Sequence, residues 1–310
     1  MTQIGIMIEG QDGLNWERWG RILQAAEDFG YQCVFRSDHF TNTEPPDKDS
    51  LELWVSLTYA AISTRRIEFG PCVSPVTFRH PAITVRMAAA VDDLSSGRLV
   101  LGLGAGWQDR EHHNFGVPFY DRPTRFDIFT EALEVTTRLL HSDAAVSYEG
   151  KHFSLDDAIL LPRPKRPNGP PILIGGKGPN RTMPLVAQYA DEWNGVFIPM
   201  DEYKERAALL DNLLPKYGRK PSDVKRSLMT QVILGKDDAE LQNKVAKRGQ
   251  TADELITSGL IVGTTSAIID QIGKWVEAGV ERFMLQWIDQ DDIDGLEHIA
   301  KDVLPHFHKN

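Results

Sequence analysis

Short apolar runs rich in β-branched residues alternate along this chain with longer stretches in which apolar side chains recur every three or four positions. The runs predict strands over Gln3–Ile8, Cys33–Arg36, Ile67–Val73, Leu99–Gly104, Ile172–Gly176, Asn194–Ile198, Ser227–Leu234 and Arg282–Trp287. Most are apolar nearly throughout, as strands covered on both faces must be. A helix is predicted after each strand. In the first, Trp19, Leu23 and Ala26 share a face, and Asn15 stands as N-cap before Trp16. The others run over Leu51–Thr64, Pro81–Ser95, Arg125–Leu140, Asn180–Tyr189, Glu202–Tyr217, Ser266–Ala278 and Ile293–Phe307.

Strict alternation of this kind predicts parallel strands joined by helical crossovers. Eight such units close most simply into a (β/α)8 TIM barrel, here one domain over residues 1–310, with a doubly wound open sheet as the competing arrangement. Two excursions interrupt the rhythm, after strands four and seven. His141–Pro171 contains a β-hairpin predicted at Val146–Phe153 with Gly150 in its turn, and Gly235–Gly263 contains a helical piece near Asp238–Arg248.

Charge then narrows the partners. The 310 residues carry 34 Lys and Arg against 44 Asp and Glu, a net charge of −10, which supplies no basic face for nucleic acid. No apolar run approaches the roughly 18 residues that a membrane span needs. Met1–Gly10 lacks the basic start and apolar stretch of a signal peptide, so a soluble, cytoplasmic protein is expected. Cys33 and Cys72 are too few for a disulfide framework.

In a barrel the chemistry gathers at the C-terminal ends of the strands. Strand two ends in Ser37, Asp38 and His39, and a histidine there is a proton carrier, a metal ligand or a hydrogen-bonded structural residue. A metal site would need further ligands at suitable spacing, and none is expected. Strand four ends in Gly102, Gly104, Gly106 and Trp107, with Glu111 following; small residues there would let a flat ring approach the backbone. After strand five, Gly175, Gly176, Lys177 and Gly178 open a helix with Arg181 close behind. Exposed amides at a helix N-terminus beside two cations suit a phosphate, and a plain tight turn is the simpler alternative.

Taken in order, these segments resemble the bacterial luciferase-like family of flavin- and coenzyme F420-dependent oxidoreductases. The resemblance rests on 35–40 (FRSDHF), 69–81 (FGPCVSPVTFRHP) and 91–107 (VDDLSSGRLVLGLGAGW), then on Glu111, Phe115–Pro118, Arg125 with Phe126, Ile174–Gly178, Ala190–Asn194, Gly263 with Thr264, and Ala278–Phe283. It spans nearly the whole chain and implies a (β/α)8 barrel. It implies that Gly175, Gly176, Lys177, Gly178 and Arg181 hold a cofactor phosphate, that Gly104, Gly106 and Trp107 border its ring, and that Asn194 belongs to the same site. His39 would lie by the ring's reactive edge. Cys72 and Val73 match a place where family members often carry a non-prolyl cis peptide behind the ring. Two branches are implied. F420 members transfer hydride, whereas FMN members take reduced flavin from a partner reductase and activate oxygen. F420 is the expected cofactor and FMN the alternative, because Thr41–Glu44 lacks the tryptophan that several F420 members carry. The resemblance also implies a small-molecule substrate, a homodimer, and a substrate pocket shaped by Val146–Phe153 and Asp238–Arg248. A non-catalytic flavin-binding barrel and a metal-dependent hydrolase are the readings from other classes.

Overall fold

The computed structural model describes residues 2–307, so residue 1 and residues 308–310 of the expected domain lie outside it. Eight parallel strands circle one axis: β1 (Gln3–Ile8), β2 (Cys33–Arg36), β3 (Glu68–Pro71, resuming at Ser74–Pro75), β4 (Leu101–Gly104), β5 (Ile172–Gly175), β6 (Glu192–Val196), β7 (Lys225–Leu234) and β8 (Arg282–Gln286). Each pairs with the next, and β8 returns to β1 through Gln3 with Arg282 and Ile6 with Leu285. Between β3 and β4 the circle closes through a Phe69–Leu99 bridge and through Ser74 with Leu103. The sheet is therefore a barrel and not the open doubly wound alternative.

The helices are α1 (Trp16–Phe29), α2 (Leu53–Ser63), α3 (Pro81–Leu94), α4 (Arg122–His141), α5 (Thr182–Tyr189), α6 (Met200–Leu213), α7 (Thr265–Glu277) and α8 (Ile293–Asp302). The Asn15 side chain caps α1 by accepting the Arg18 amide at 3.0 Å. Inside the barrel Met7, Cys33, Phe35, Leu173, Met229 and Met284 form a closed apolar cluster. A larger core fills the layer between strands and helices. Cys33 and Cys72 are both buried and free. Among the described residues no helix is long and apolar enough to cross a membrane.

Three departures from the predicted elements bear on the site. The third strand is broken in two, and the Cys72–Val73 peptide at the break is cis. β6 begins two residues before the predicted start, which moves Asn194 from a strand end into the middle of a strand. The excursion after β7 holds helices Asp238–Ala246 and Ala252–Thr257 and a further strand, Ile261–Gly263, parallel to β7. Three residues show no usable period, so this strand was invisible in the sequence. The excursion closes over its own small core of Ile233, Val245, Leu255 and Val262. A hairpin does form after β4 with Gly150 in its turn, but its second strand, Ser154–Ala158 against Val146–Glu149, lies beyond the expected end at Phe153. Its turn is tied to α4, where the Glu131 carboxylate accepts the amides of Lys151, His152 and Phe153 at 2.9, 2.8 and 3.1 Å.

Candidate active site

A cavity of about 660 Å3 opens at the C-terminal ends of the strands. Its walls take His39 from the β2 loop, Cys72 and Val73 from the break in β3, Gly104, Gly106 and Trp107 after β4, and Gly175, Gly176, Lys177 and Gly178 after β5. Of the residues singled out in the sequence, Asp38, Gly102, Glu111, Asn194 and Arg181 are not among its lining.

Asn194 is buried beneath this wall. Its amide nitrogen donates to Ser227 Oγ at 2.9 Å, and its carbonyl oxygen lies 3.6 Å from Cys72 Sγ. Being mid-strand, it braces the barrel interior below the cavity. Arg181 is exposed. Because α5 starts at Thr182 and not at Asn180, Arg181 precedes the helix and lies against the first turn of α4, 3.4 Å from the Pro123 carbonyl and over the ring of Phe126, itself part of the cavity wall. Neither excursion contributes to the walls: Val146–Phe153 is held on α4 by Glu131, and Asp238–Arg248 packs on its own core.

His39 is fixed by a carboxylate. Its Nδ1 lies 2.8 Å from Glu111 Oε1, and the other oxygen, Oε2, accepts the Phe40 amide at 2.9 Å. Glu111 is fully buried, and the ring edge of His39 meets Trp107 at 5.5 Å between centroids. Burial alone would lower the His39 pKa. The hydrogen bond and charge of Glu111, with Glu9 and Asp38 nearby, outweigh it and hold the pKa above the ordinary histidine value. The loop carrying His39 is pinned on both sides. Gln108 Nε2 donates to the Thr41 carbonyl at 2.9 Å, and Asp38 accepts from Ser74 Oγ at 2.7 Å and from Arg79.

The glycines have a different reason from the one expected. A Cβ on Gly104 would come within 2.6 Å of Val73 Cγ2, and one on Gly175 within 3.0 Å of Val73 Cγ1. These two strand ends are bare because Val73 is driven between them, and Val73 presents the surface that faces the cavity. Gly176 has φ +126°, a conformation that suits glycine, and a Cβ on Gly178 would crowd Thr182 Oγ1 at 3.0 Å. Here the turn itself needs the residue type.

Two cations went unnoticed among the phosphate candidates. Arg122 and Arg125, in the first turn of α4, line the cavity beside Lys177. The Nε and Nη1 of Arg125 are buried without an acceptor among the described residues, burial draws its pKa down, and its guanidinium sits 4.1 Å from the Phe119 ring centre. The Lys177 ammonium, by contrast, already donates to the Phe197 carbonyl at 3.0 Å and lies 3.5 Å from Glu202. A signal for Arg122 and Arg125 did exist. Two arginines in the first turn oppose the helix dipole, which favours anions there, and a bound anion would explain them. His112 is buried on the short helix Asp109–Asn114, with its ring nitrogens on Thr77 Oγ1 at 2.8 Å and the Gln108 carbonyl at 2.7 Å. Among the described residues no three His, Cys, Asp or Glu side chains converge as a metal site would require.

Known proteins match this arrangement. The family model for luciferase-like monooxygenases matches residues 2–250. An F420-dependent hydroxymycolic acid dehydrogenase of Mycobacterium tuberculosis is 30% identical over 70% of this chain and 59% of its own length. An F420-dependent glucose-6-phosphate dehydrogenase of Kineococcus radiotolerans is 30% identical over 69% of this chain and 63% of its own. The chain thus spans about three fifths of the length of these two curated relatives. A solved F420-dependent secondary alcohol dehydrogenase, in complex with an F420–acetone adduct, superposes with a TM-score of 0.86 at 22% identity, covering 99% of both chains.

Proposed function

The chain belongs to the luciferase-like monooxygenase family, and on that premise we propose that it is an F420-dependent oxidoreductase, moving a hydride between the deazaflavin and a small organic substrate held in the cavity. The observation that carries this reading is the polarity of the cavity. A histidine bound to a buried carboxylate stands on one side, and cations without a carboxylate partner, Arg122 and Arg125, stand on another.

The residues fit such a cofactor. Arg125 offers buried donors that lack acceptors, as a phosphate-binding group should, and the amides of Gly176, Lys177 and Gly178 border the same space. Three basic side chains suit F420, whose tail carries carboxylates beyond its phosphodiester, better than the single phosphate of FMN. The phosphate-holding role expected of Arg181 passes in this reading to Arg125. Val73, wedged between Gly104 and Gly175, would buttress the ring, and Trp107 would cover it. The deazaflavin, when bound, supplies or accepts the hydride.

The protein supplies the proton. Glu111 occupies Nδ1 of His39, so Nε2 is the nitrogen free to serve the cavity. With its pKa held above the ordinary histidine value, His39 is biased toward its protonated form and can give that proton to the substrate oxygen as a carbonyl is reduced. In the opposite direction Nε2 takes the hydroxyl proton, and the adjacent Glu111 carboxylate stabilises the imidazolium. Two related dehydrogenases that carry F420 in their names support this reading, as does the solved alcohol dehydrogenase at the level of fold.

Titration of the purified protein with F420 and with FMN, followed by absorbance and fluorescence, tests the proposal. Saturable F420 binding with FMN much weaker is expected. Preferential binding of FMN, with oxygen consumption when a flavin reductase is added, would replace it with the monooxygenase reading.

A further inference from the structure

Of the carboxylates near His39, Asp38 is paired with Arg79, and Glu111 and Glu9 are engaged in different ways. Glu111 is fully buried, and both of its oxygens are committed, one to His39 and one to the Phe40 amide. Glu9, at the end of β1, is half-buried and lines the cavity. Its Oε1 accepts from Gln286 Nε2 at 2.6 Å and its Oε2 from Gln11 Nε2 at 3.0 Å. Gln11 is itself oriented, because its Oε1 accepts from Ser37 Oγ at 2.7 Å. Gln290 Nε2 donates to the Glu9 carbonyl at 2.9 Å and holds the backbone.

Every partner of this carboxylate among the described residues is a neutral amide. Amides aim the carboxylate without cancelling its charge. An ionised carboxylate has about four acceptor positions, and two are filled here. The others are left for whatever enters the cavity. Among the described residues, the unpaired positive side chains that would draw an anion, Arg122 and Arg125, belong to α4, whereas Glu9 stands on the β1 side with His39, whose charge Glu111 already offsets.

We infer that Glu9 determines specificity: it accepts a hydrogen bond from a hydroxyl or amino group of the substrate and rejects substrates that bring a carboxylate or phosphate to the His39 side of the cavity. The substrate class is then a neutral or cationic molecule bearing an O–H or N–H donor next to the reacting carbon. The inference rests on reading this cavity as the catalytic site.

The test uses a matched series, cyclohexylmethanol, cyclohexylmethylamine and cyclohexanecarboxylate. Binding to the purified protein is measured by ligand-observed NMR and calorimetry, with and without F420. Wild type should bind the alcohol and the amine roughly tenfold or more tightly than the carboxylate, the penalty that like charges impose at close range. Glu9→Gln, which keeps the size and hydrogen bonding of the side chain, should bring the carboxylate within about twofold of the alcohol. Glu9→Asp keeps the charge but withdraws it, so the carboxylate should stay excluded while the alcohol weakens. Equal binding of the three by wild type, no binding of any of them, or an unchanged ranking in Glu9→Gln would each overturn the inference. The ranking is read without turnover. Failure to bind F420 would remove the oxidoreductase reading and leave the ranking measurable, whereas F420 binding with an unchanged ranking would remove Glu9 alone.

Discussion

At the N-terminal end of the barrel, Arg282 on β8 lies between Glu192 on β6, 3.0 Å away, and Glu68 on β3. Gln3 Oε1 accepts from Arg282 Nε at 2.9 Å and from Lys225 Nζ at 3.1 Å. At the other end, Arg125 has buried donors with no acceptor, and Glu9 is met by amides only. Both ends hold charge out of bulk water. Below, Arg282 stands against two carboxylates and Lys225 against the Gln3 side-chain carbonyl, and burial, which would lower the Arg282 pKa, is outweighed by Glu192 and Glu68, which raise it. Above, Arg122 and Arg125 are held on a different wall from Glu9. A paired charge is structural, because its opposite already offsets it, even where Arg282 Nη1 and Glu192 Oε1 make no hydrogen bond of their own. An oriented charge kept from its opposite is a binding group, and its desolvation is offset only when something binds.

The largest effect expected concerns the His39–Glu111 pair at the mouth. His39→Ala should lower turnover by roughly 10²–10⁴-fold, the span for a positioned proton carrier, with cofactor affinity little changed. Near-normal turnover, measured at saturating cofactor, would reduce the His39–Glu111 pair to a structural contact and blur the distinction between the two ends. At the base, Arg282→Met should cost about 3–5 kcal/mol in urea denaturation, because Glu192 is left buried and unpaired. Cofactor affinity should be unchanged in the folded fraction. A loss of affinity without a loss of stability would show that the base is not purely structural.

A smaller effect separates the two arginines near α4. Arg125→Ala should weaken cofactor binding by about 1.5–3 kcal/mol, the range for hydrogen bonds to a charged group. Stability should hold or rise, since unpartnered buried donors are removed. Arg181→Ala, on an exposed side chain, should leave the same titration where it was. Reversed results would return the phosphate to Arg181. The smallest effect is on stability against pH. The folded His39 pKa lies above its unfolded value, so the stabilisation it gives is complete below about pH 6.5 and is lost as pH rises through the folded pKa. The gap in urea midpoint between wild type and His39→Gln should therefore narrow as pH rises from that value. A gap that widens would mean that His39 is not stabilised as the cation.

The barrel could be read in advance because buried parallel strands are apolar along their whole length, and strands such as Gln3–Ile8 and Cys33–Arg36 then stand out at their true ends. The cavity's glycines and His39 were legible for the same reason, since the end of a strand fixes where its loop begins. Asn194 was misplaced by two residues of strand boundary, and Arg181 by two residues of helix start. Over such distances a side chain on a strand or at a helix cap can turn from one environment to another.

What the sequence determined by itself is the order of the elements and the chemistry carried at their ends, because both arise from local periodicity and local residue type. Only the tertiary structure decided which charges meet. Glu111 reaches His39 across 72 positions, Gln286 reaches Glu9 across 277, and Arg282 finds Glu192 on another strand, while Arg125 finds no carboxylate. Pairing depends on through-space distance, and in a closed barrel the strand order and register set that distance. No local property of the chain records it.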